Sequence, residues 1–135
     1  MMGYWAVFVG GGLGSMARYA VGRGVAAWMG RGAAGWLAGP AATAVVNLAA
    51  TALLAWLLTR WQPTVGAAGE GRNAALWLLA TTGFCGGFST FSAFAADTVK
   101  LYNDGHTQWA LANVAINVIG CLCVGLWGLS WKLGA

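Results

Sequence analysis

Long uncharged, apolar segments dominate the pattern of hydrophobic and polar positions along this chain. Asp, Glu, Lys and Arg are absent from residues 1–17, 32–59, 73–96 and 107–131. A helix needs about 20 predominantly apolar residues to cross a hydrocarbon core of about 30 Å. The last three segments exceed that length, and the first reaches it when Arg18 lies near its end and extends outward. The pattern therefore predicts four transmembrane helices, over about residues 3–22, 34–59, 75–99 and 107–131.

The composition fits a membrane protein that contains no other domain. Hydrophobic residues make up 59% of the chain and charged residues 7%, whereas about 25% of residues are charged in ordinary soluble domains. The connections between the predicted spans are too short to build a soluble domain. We therefore predict an all-α membrane protein, with a single four-helix transmembrane domain over residues 1–135 that crosses the lipid bilayer of the cell (inner) membrane several times.

Basic residues are divided almost evenly between the two sides of the membrane. With four spans, one side carries Arg60, Arg72 and Lys132. The other side carries Arg23, Arg31 and Lys100, and also Arg18 when that residue is counted. Because an asymmetry of Lys and Arg orients membrane proteins, a near-tie predicts insertion in both orientations. A single orientation set by one or two charges is an equally open alternative. The net charge of +4 is what basic residues at span ends supply, and it indicates no nucleic-acid partner.

Glycine pairs at GxxxG spacing favour close helix packing. The pairs are Gly10–Gly14, Gly35–Gly39 and Gly83–Gly87. Such small residues let transmembrane helices approach closely, although 22 glycines would produce several such pairs by chance. Together the pairs predict a tightly packed assembly, most simply a homodimer, which is antiparallel if both orientations are made.

Polar side chains lie inside two of the predicted spans, where each needs a partner or water. Thr43 and Asn47 are four residues apart and so share one face of the second span. In the fourth span Asn113, Asn117 and Cys121 repeat at the same interval. Asparagines can simply join helices, but a file of them on one face is better explained by a polar track. The track contains amides and hydroxyls and no carboxylate, which a proton-coupled carrier or a cation pore would be expected to need.

The third span contains an unusual polar stretch, "TTGFCGGFSTFSAF", at residues 81–94. Gly83, Gly86 and Gly87 are expected to interrupt this helix and to free backbone carbonyls that neighbours, an ion or water must satisfy. Phe91 and Phe94 follow three residues apart and so share a face. The edges of their rings carry partial positive charge and could contact an anion without trapping it. An isolated pair of phenylalanines would more often be simple packing.

Three motifs resemble the Fluc/CrcB family of fluoride channels: "GGLGSMARY", "TAVVN" and "GFCGGFSTFSAF". The resemblance covers essentially the whole chain and implies an antiparallel, dual-topology homodimer with two fluoride pores. It implies that Asn47, Phe91 and Phe94 line the pore. It also implies a central Na⁺ held by the backbone carbonyls of Gly86 and Ser89.

Some positions depart from the family pattern. Ser89 stands where threonine is usual, which matters little for a carbonyl ligand. Asn113 and Asn117 stand where tyrosine and serine are expected, so the polar track is kept with different side chains. Arg18 matches the family's arginine in the first span, to which we assign a structural or vestibular role.

The resemblance implies passive export of fluoride, which would protect a cell from a toxic anion. A pore must replace much of the water shell of this small ion. Asn47 can offer N–H groups, Thr43 and Ser92 can offer hydroxyls, and the two phenylalanines can offer ring edges.

Three other classes of membrane protein were weighed. A small multidrug transporter needs a glutamate within the first span, but Glu70 lies in a loop. A haem-carrying membrane anchor needs histidines inside helices, and the single histidine, His106, falls in the third loop, where we expect it to be solvated. A structural membrane subunit stays open, since a single sequence does not prove that polar residues line a pore.

Overall fold

The computed structural model describes residues 1–30, 35–61 and 72–130. These residues form helices and short connections, and no strand is present among them. Three charged residues discussed above lie outside the described residues. They are Arg31 and Lys132, which were counted among the basic residues on the two sides, and Glu70, which was considered as the glutamate of a transporter. The fold class predicted from the apolar segments, all-α, is confirmed for the part of the chain that is described.

The helices follow the four predicted spans. The first is α1, Met2–Met29. A 3₁₀ turn, Gly35–Leu37, leads into α2, Ala38–Arg60. The third run consists of α3, Arg72–Leu78, a π-helical segment, Leu79–Cys85, α4, Gly86–Phe88, and α5, Phe91–Asn103. The fourth run consists of α6, Thr107–Val114, a second π-helical segment, Ala115–Gly120, and α7, Cys121–Ser130.

Three helical stretches are long and apolar enough to cross a membrane. They are Gly35–Arg60, Asn73–Asn103 and Thr107–Ser130. Helix α1 has the necessary length, with 28 residues, but its glycines, its tyrosines and Arg18 make it less apolar. Because these three stretches can each cross a membrane, the chain is a multi-pass membrane protein.

Helix α1 packs against the first half of the third run through facing glycines. A Cβ added at Gly10 would come within 3.0 Å of the Gly83 Cα and would collide with the Leu79 carbonyl oxygen. A Cβ added at Gly87 would lie 2.9 Å from the Gly11 Cα. Two of the predicted glycine pairs therefore face each other within one chain. These two pairs are accounted for by packing within one subunit, so they give no evidence for a dimer, which stays a prediction.

The third helical run is interrupted at Ser89 and Thr90. Both residues have extended backbone, with φ −75° and ψ 161° at Ser89 and φ −154° and ψ 114° at Thr90. The glycines that we expected to interrupt the helix, Gly83, Gly86 and Gly87, are themselves helical. Gly83 and Gly87 pack closely against α1, whereas Gly86 is helical without such a contact. The interruption results from the hydrogen bonds of residues that follow these glycines.

Helix α2 contacts α1, α5, α7 and both π-helical segments, so it forms the centre of the subunit. Its buried face carries Thr43, Val46 and Ala50. At the chain start of α2, Trp36 stacks on His106 with ring centroids 4.0 Å apart and planes 10° apart. His106 is half-buried, so the expectation that this histidine is simply solvated was wrong, because its ring packs on an indole.

Candidate functional site

The side chain of Asn47 bridges the interruption of the third run. Its Oδ1 accepts a hydrogen bond of 2.7 Å from the Thr90 N–H, and its Nδ2 donates at 3.2 Å to the Thr90 carbonyl oxygen. Both backbone groups of Thr90 are therefore satisfied by a side chain from α2. Buried backbone groups must find such partners, and among the described residues Asn47 provides both of them.

Thr90 also begins the helix that follows. Its Oγ1 accepts a hydrogen bond from the Ala93 N–H at 3.3 Å, so Thr90 is the N-cap of α5. A capping threonine satisfies one of the N–H groups that the first turn of a helix leaves without an intrahelical partner. The role of Thr90 as an N-cap was not predicted from the sequence, although a threonine directly before a helix is a recognisable start signal.

The three asparagines of the polar track form one connected chain of hydrogen bonds. Asn47 Nδ2 donates at 2.8 Å to Asn117 Oδ1. Asn117 Nδ2 donates to the Asn113 carbonyl oxygen and to Asn113 Oδ1, each at 3.0 Å. Asn113 Nδ2 donates at 2.9 Å to Thr98 Oγ1 and at 3.5 Å to the Phe94 carbonyl oxygen. Asn113 and Asn117 are buried, and the chain joins α2, the fourth run and α5.

A cleft of about 210 Å³ opens beside these hydrogen-bonded asparagines. Its lining includes Asn47, Thr90, Phe91, Phe94 and Asn117. The rings of Phe91 and Phe94 meet edge to face, with centroids 5.4 Å apart and planes 62° apart. Phe94 is buried, whereas 77% of Phe91 is exposed. The structure thus brings together the residues that the sequence placed on separate helices.

Thr43 and Asp97 form a polar pair one turn away from this cleft along α2. Thr43 Oγ1 donates at 2.8 Å to Asp97 Oδ2, and Thr43 is buried. The carboxyl group also lies close to Gly39, where an added Cβ would be 3.1 Å from Asp97 Oδ1. The sequence predicted a polar track without a carboxylate, and the structure corrects this, because Asp97 bonds to Thr43 of that track. The signal was available, because Asp97 follows Phe94 by three residues and so shares its face.

Ser92 lies at the exposed side of the interruption. Its Oγ is 3.3 Å from Thr90 Oγ1, and either hydroxyl can be the donor. Ser92 is exposed, so its hydroxyl is accessible from outside the subunit. The sequence predicted that Ser92 offers a hydroxyl beside the two rings. Ser92 directly follows Phe91 in the chain, but its hydroxyl faces out of the subunit.

The interruption withdraws the usual helical donors from two carbonyl groups. In a continuous α-helix the Thr90 N–H would bond to the Gly86 carbonyl, and the Ala93 N–H would bond to the Ser89 carbonyl. Here those N–H groups bond to Asn47 Oδ1 and Thr90 Oγ1 instead. Gly86 and Ser89 both line a second open cleft, of about 390 Å³, on the other side of the interruption. Oxygen atoms of this kind are suitable ligands for a hard cation.

Arg18, on α1, lies apart from both clefts, where α1 contacts the third run. Its Nη2 donates at 3.4 Å to Ser15 Oγ, which in turn donates at 3.4 Å to the Gly87 carbonyl oxygen. Its Nε is buried and has no hydrogen-bond partner among the described residues. The structural or vestibular role of Arg18 stays a prediction.

Comparison with known proteins gives one consistent family. A family model described as "CrcB-like protein, Camphor Resistance (CrcB)" matches residues 5–129. A protein of Enterobacter sp. (strain 638) named "Fluoride-specific ion channel FluC" is 39% identical over 119 residues, which cover 85% of this chain and 81% of the relative. Proteins with the same name from Serratia proteamaculans (strain 568) and Salmonella arizonae are 38% and 37% identical, over 90% and 85% of this chain and 86% and 81% of the relatives.

Proposed function

The chain belongs to the CrcB-like family, and we propose that it is a fluoride-selective ion channel of the bacterial inner membrane, through which cytoplasmic fluoride leaves passively. It is a transport protein and not an enzyme. The observation that carries the proposal is the cleft beside Asn47 and the Phe91–Phe94 pair, which combines hydroxyls, amides and ring edges at an interrupted helix. Relatives that cover more than four-fifths of this chain are named fluoride-specific channels.

The proposed ion path follows this cleft. Ring edges of Phe91 and Phe94 contact the anion, and the hydroxyl of Ser92 replaces part of its water shell. Asn47 and Asn117 line this path. Thr43 and Asn113 extend the polar surface along α2 and the fourth run. The cleft presents no fixed positive charge that would hold the ion, so the anion can leave as easily as it enters.

We propose that all four helical runs cross the membrane and that the third is broken near the bilayer centre. The interruption at Ser89 and Thr90 follows 17 helical residues (72–88) and precedes 13 more (Phe91–Asn103). Because helices rise about 1.5 Å per residue, both halves are long enough to place the interruption well inside a core of about 30 Å. Extended backbone at that depth is tolerated only where protein or a water-filled cavity surrounds it.

The working unit is an antiparallel homodimer of two oppositely inserted copies. Within one subunit Phe91 and Ser92 are exposed, and so is Thr82 in the second cleft. Polar surface at this depth is costly against lipid, and a second copy placed over the interruption would cover it. The near-even division of basic residues between the two sides supports inverted copies over copies that face the same way.

A structural Na⁺ is proposed at the dimer centre, held by the backbone carbonyls of Gly86 and Ser89. These are the two carbonyls from which the interruption withdraws the usual helical donors. Two oxygens are too few to surround a hard cation, and a second copy would raise the number of carbonyl oxygens to four. When bound, the ion supplies a fixed positive charge that favours anions nearby.

Export through such a path needs no coupled ion. An inside-negative membrane potential drives one anion outward with about 2.3 kcal/mol per 100 mV. The small multidrug transporter and the structural subunit, which the sequence left as alternatives, both predict no passive fluoride conductance.

A liposome assay tests the proposal. Purified protein is reconstituted into liposomes loaded with KF or KCl, valinomycin carries the compensating K⁺, and a halide electrode records the release. We expect rapid release of fluoride and retention of chloride. The variant Phe94→Ile should lose most of the fluoride release, whereas Phe8→Ile, the same change at an exposed ring of α1, should keep it. Retention of fluoride by well-folded wild-type protein would remove the channel function.

A further inference from the structure

The amide groups of Asn47, Asn113 and Asn117 have no hydrogen left to offer an ion. A primary amide carries two N–H hydrogens, so the three side chains carry six. The two of Asn47 go to Thr90 and Asn117, the two of Asn117 go to Asn113, and the two of Asn113 go to Thr98 and Phe94. Each hydrogen therefore has an acceptor inside the subunit.

Backbone groups determine which way each amide points. The Thr90 N–H can only donate, so the atom of Asn47 that faces it must be oxygen. The Asn113 carbonyl can only accept, so the atom of Asn117 that faces it must be nitrogen. The Phe94 carbonyl determines the orientation of Asn113 in the same way. Rotating one amide by a half turn would place like groups together in the interior and would leave buried polar groups without hydrogen-bond partners.

We propose that these three asparagines act as positioning residues for the two rings and do not themselves bind the ion. The chain of hydrogen bonds begins at Thr90, directly before Phe91, and ends at the Phe94 carbonyl and Thr98. It thus fixes the first two turns of α5 at both ends against α2 and the fourth run. The inference rests on the proposed function, and it changes the role of the polar track from a row of ion ligands to a brace.

Hydroxyl groups remain as the polar donors for the anion. Thr90 and Ser92 share one hydrogen bond between their oxygens, while a pair of hydroxyls carries two hydrogens. One hydroxyl hydrogen is therefore uncommitted among the described residues, at the position next to Phe91. The two ring edges and this O–H form the contact set that the brace holds in place.

Thr98 distinguishes the two roles, because it contacts the brace and does not line the cleft. Its Oγ1 accepts from Asn113 Nδ2 and donates at 2.8 Å to the Phe94 carbonyl oxygen. The variant Thr98→Val removes both bonds with little change of shape. If Asn113 donates to the ion, losing Thr98 frees an N–H for that purpose, and fluoride flux should be unchanged or higher. If Asn113 positions α5, flux should fall by about tenfold, which corresponds to about 1.4 kcal/mol in the barrier.

The experiment compares initial fluoride release from liposomes for a set of variants. Thr98→Ser keeps the hydroxyl and should restore the wild-type rate. Thr59→Val is the matched control, since Thr59 Oγ1 also bonds to its own helix, at the Trp56 carbonyl, but lies away from the brace. Thr98→Ala removes the same two bonds with a smaller side chain, so it decides the question if Thr98→Val does not fold. Asn117→Leu cuts the brace at another point and is the second change of a double variant.

The double variant gives an independent readout. Because both changes cut one brace, Thr98→Val combined with Asn117→Leu should conduct no more slowly than the slower single variant. Multiplying effects, or a wild-type rate for Thr98→Val, would overturn the inference while leaving the channel itself intact. Absence of fluoride release from wild-type protein would instead refute the proposed function.

Discussion

The glycine contact between α1 and the third run gives a prediction whose size follows from the structure. A Cβ added at Gly14 would lie 2.8 Å from the Phe88 nitrogen and 3.1 Å from the Gly87 carbonyl carbon, and it would collide with the Phe84 carbonyl oxygen. All three atoms belong to the backbone, so no side chain can rotate away. Overpacking of this kind costs about 1–3 kcal/mol.

Gly12 provides the control within the same helix. A Cβ added there meets no atom within 4 Å. Both changes to alanine improve the helix propensity of α1 by about 1 kcal/mol, so that gain cancels when the two variants are compared. Gly14→Ala should therefore be about 1–3 kcal/mol less stable than Gly12→Ala, and Gly12→Ala should be at least as stable as the wild type.

Titration of detergent-solubilised protein with SDS, followed by circular dichroism, measures the free energy of unfolding of both variants. A difference between them within the error of the titration would refute the argument. It would mean that α1 does not approach the Gly83–Gly87 backbone as closely as the structure has it. Loss of fluoride release by Gly14→Ala, with Gly12→Ala active, would add that the contact also positions the interruption.

Two further results are expected. Thr43→Val should lower the free energy of unfolding by about 1.5–3 kcal/mol, because it removes the hydroxyl donor from a carboxyl group, whereas Thr43→Ser should stay close to the wild type; equal stability of both variants in the SDS titration would contradict the importance of the bond to Asp97. Replacing Na⁺ on both sides of the membrane by a large organic cation should slow fluoride release from liposomes, and an unchanged rate after prolonged exchange would argue against a cation at Gly86 and Ser89.

The sequence predicted the helices well because their signal is simple. Absence of charge over more than about 20 residues is a strong mark of a membrane helix, and the described residues of each predicted span lie within a helical run. Four-residue spacing also placed Asn113 and Asn117 on one face, and the structure joins their side chains by two hydrogen bonds. Periodicity along one helix is enough for that result.

The position of the interruption could not be predicted from helix breakers alone. Gly86 and Gly87 look like the breaking residues, but they stay helical, and glycine only permits a break without requiring one. The break occurs where Asn47, more than forty positions earlier in the chain, offers both a donor and an acceptor to Thr90. Such a partner depends on how two helices pack, which the local sequence does not contain.

The roles of the polar side chains were also beyond the sequence. Spacing placed three asparagines on the faces that meet, and it gave no information on which hydrogens would be used inside the subunit. No carboxylate was expected in the polar track, yet α5 continues to Asn103 and brings the Asp97 carboxyl group to Thr43. Neither contact could be read from spacing, since the partner of each polar group comes from a different helix.

A bend made by proline belongs to its own helix and is present as soon as that helix forms. The bend at Ser89 and Thr90 has a different origin, because an amide on α2 supplies the partners that its backbone needs. Before α2 docks, an unbroken helix is the better state for this segment in lipid, where each unpaired backbone group costs several kcal/mol. We therefore expect the bend to be acquired during assembly, when α2 first packs against the third run.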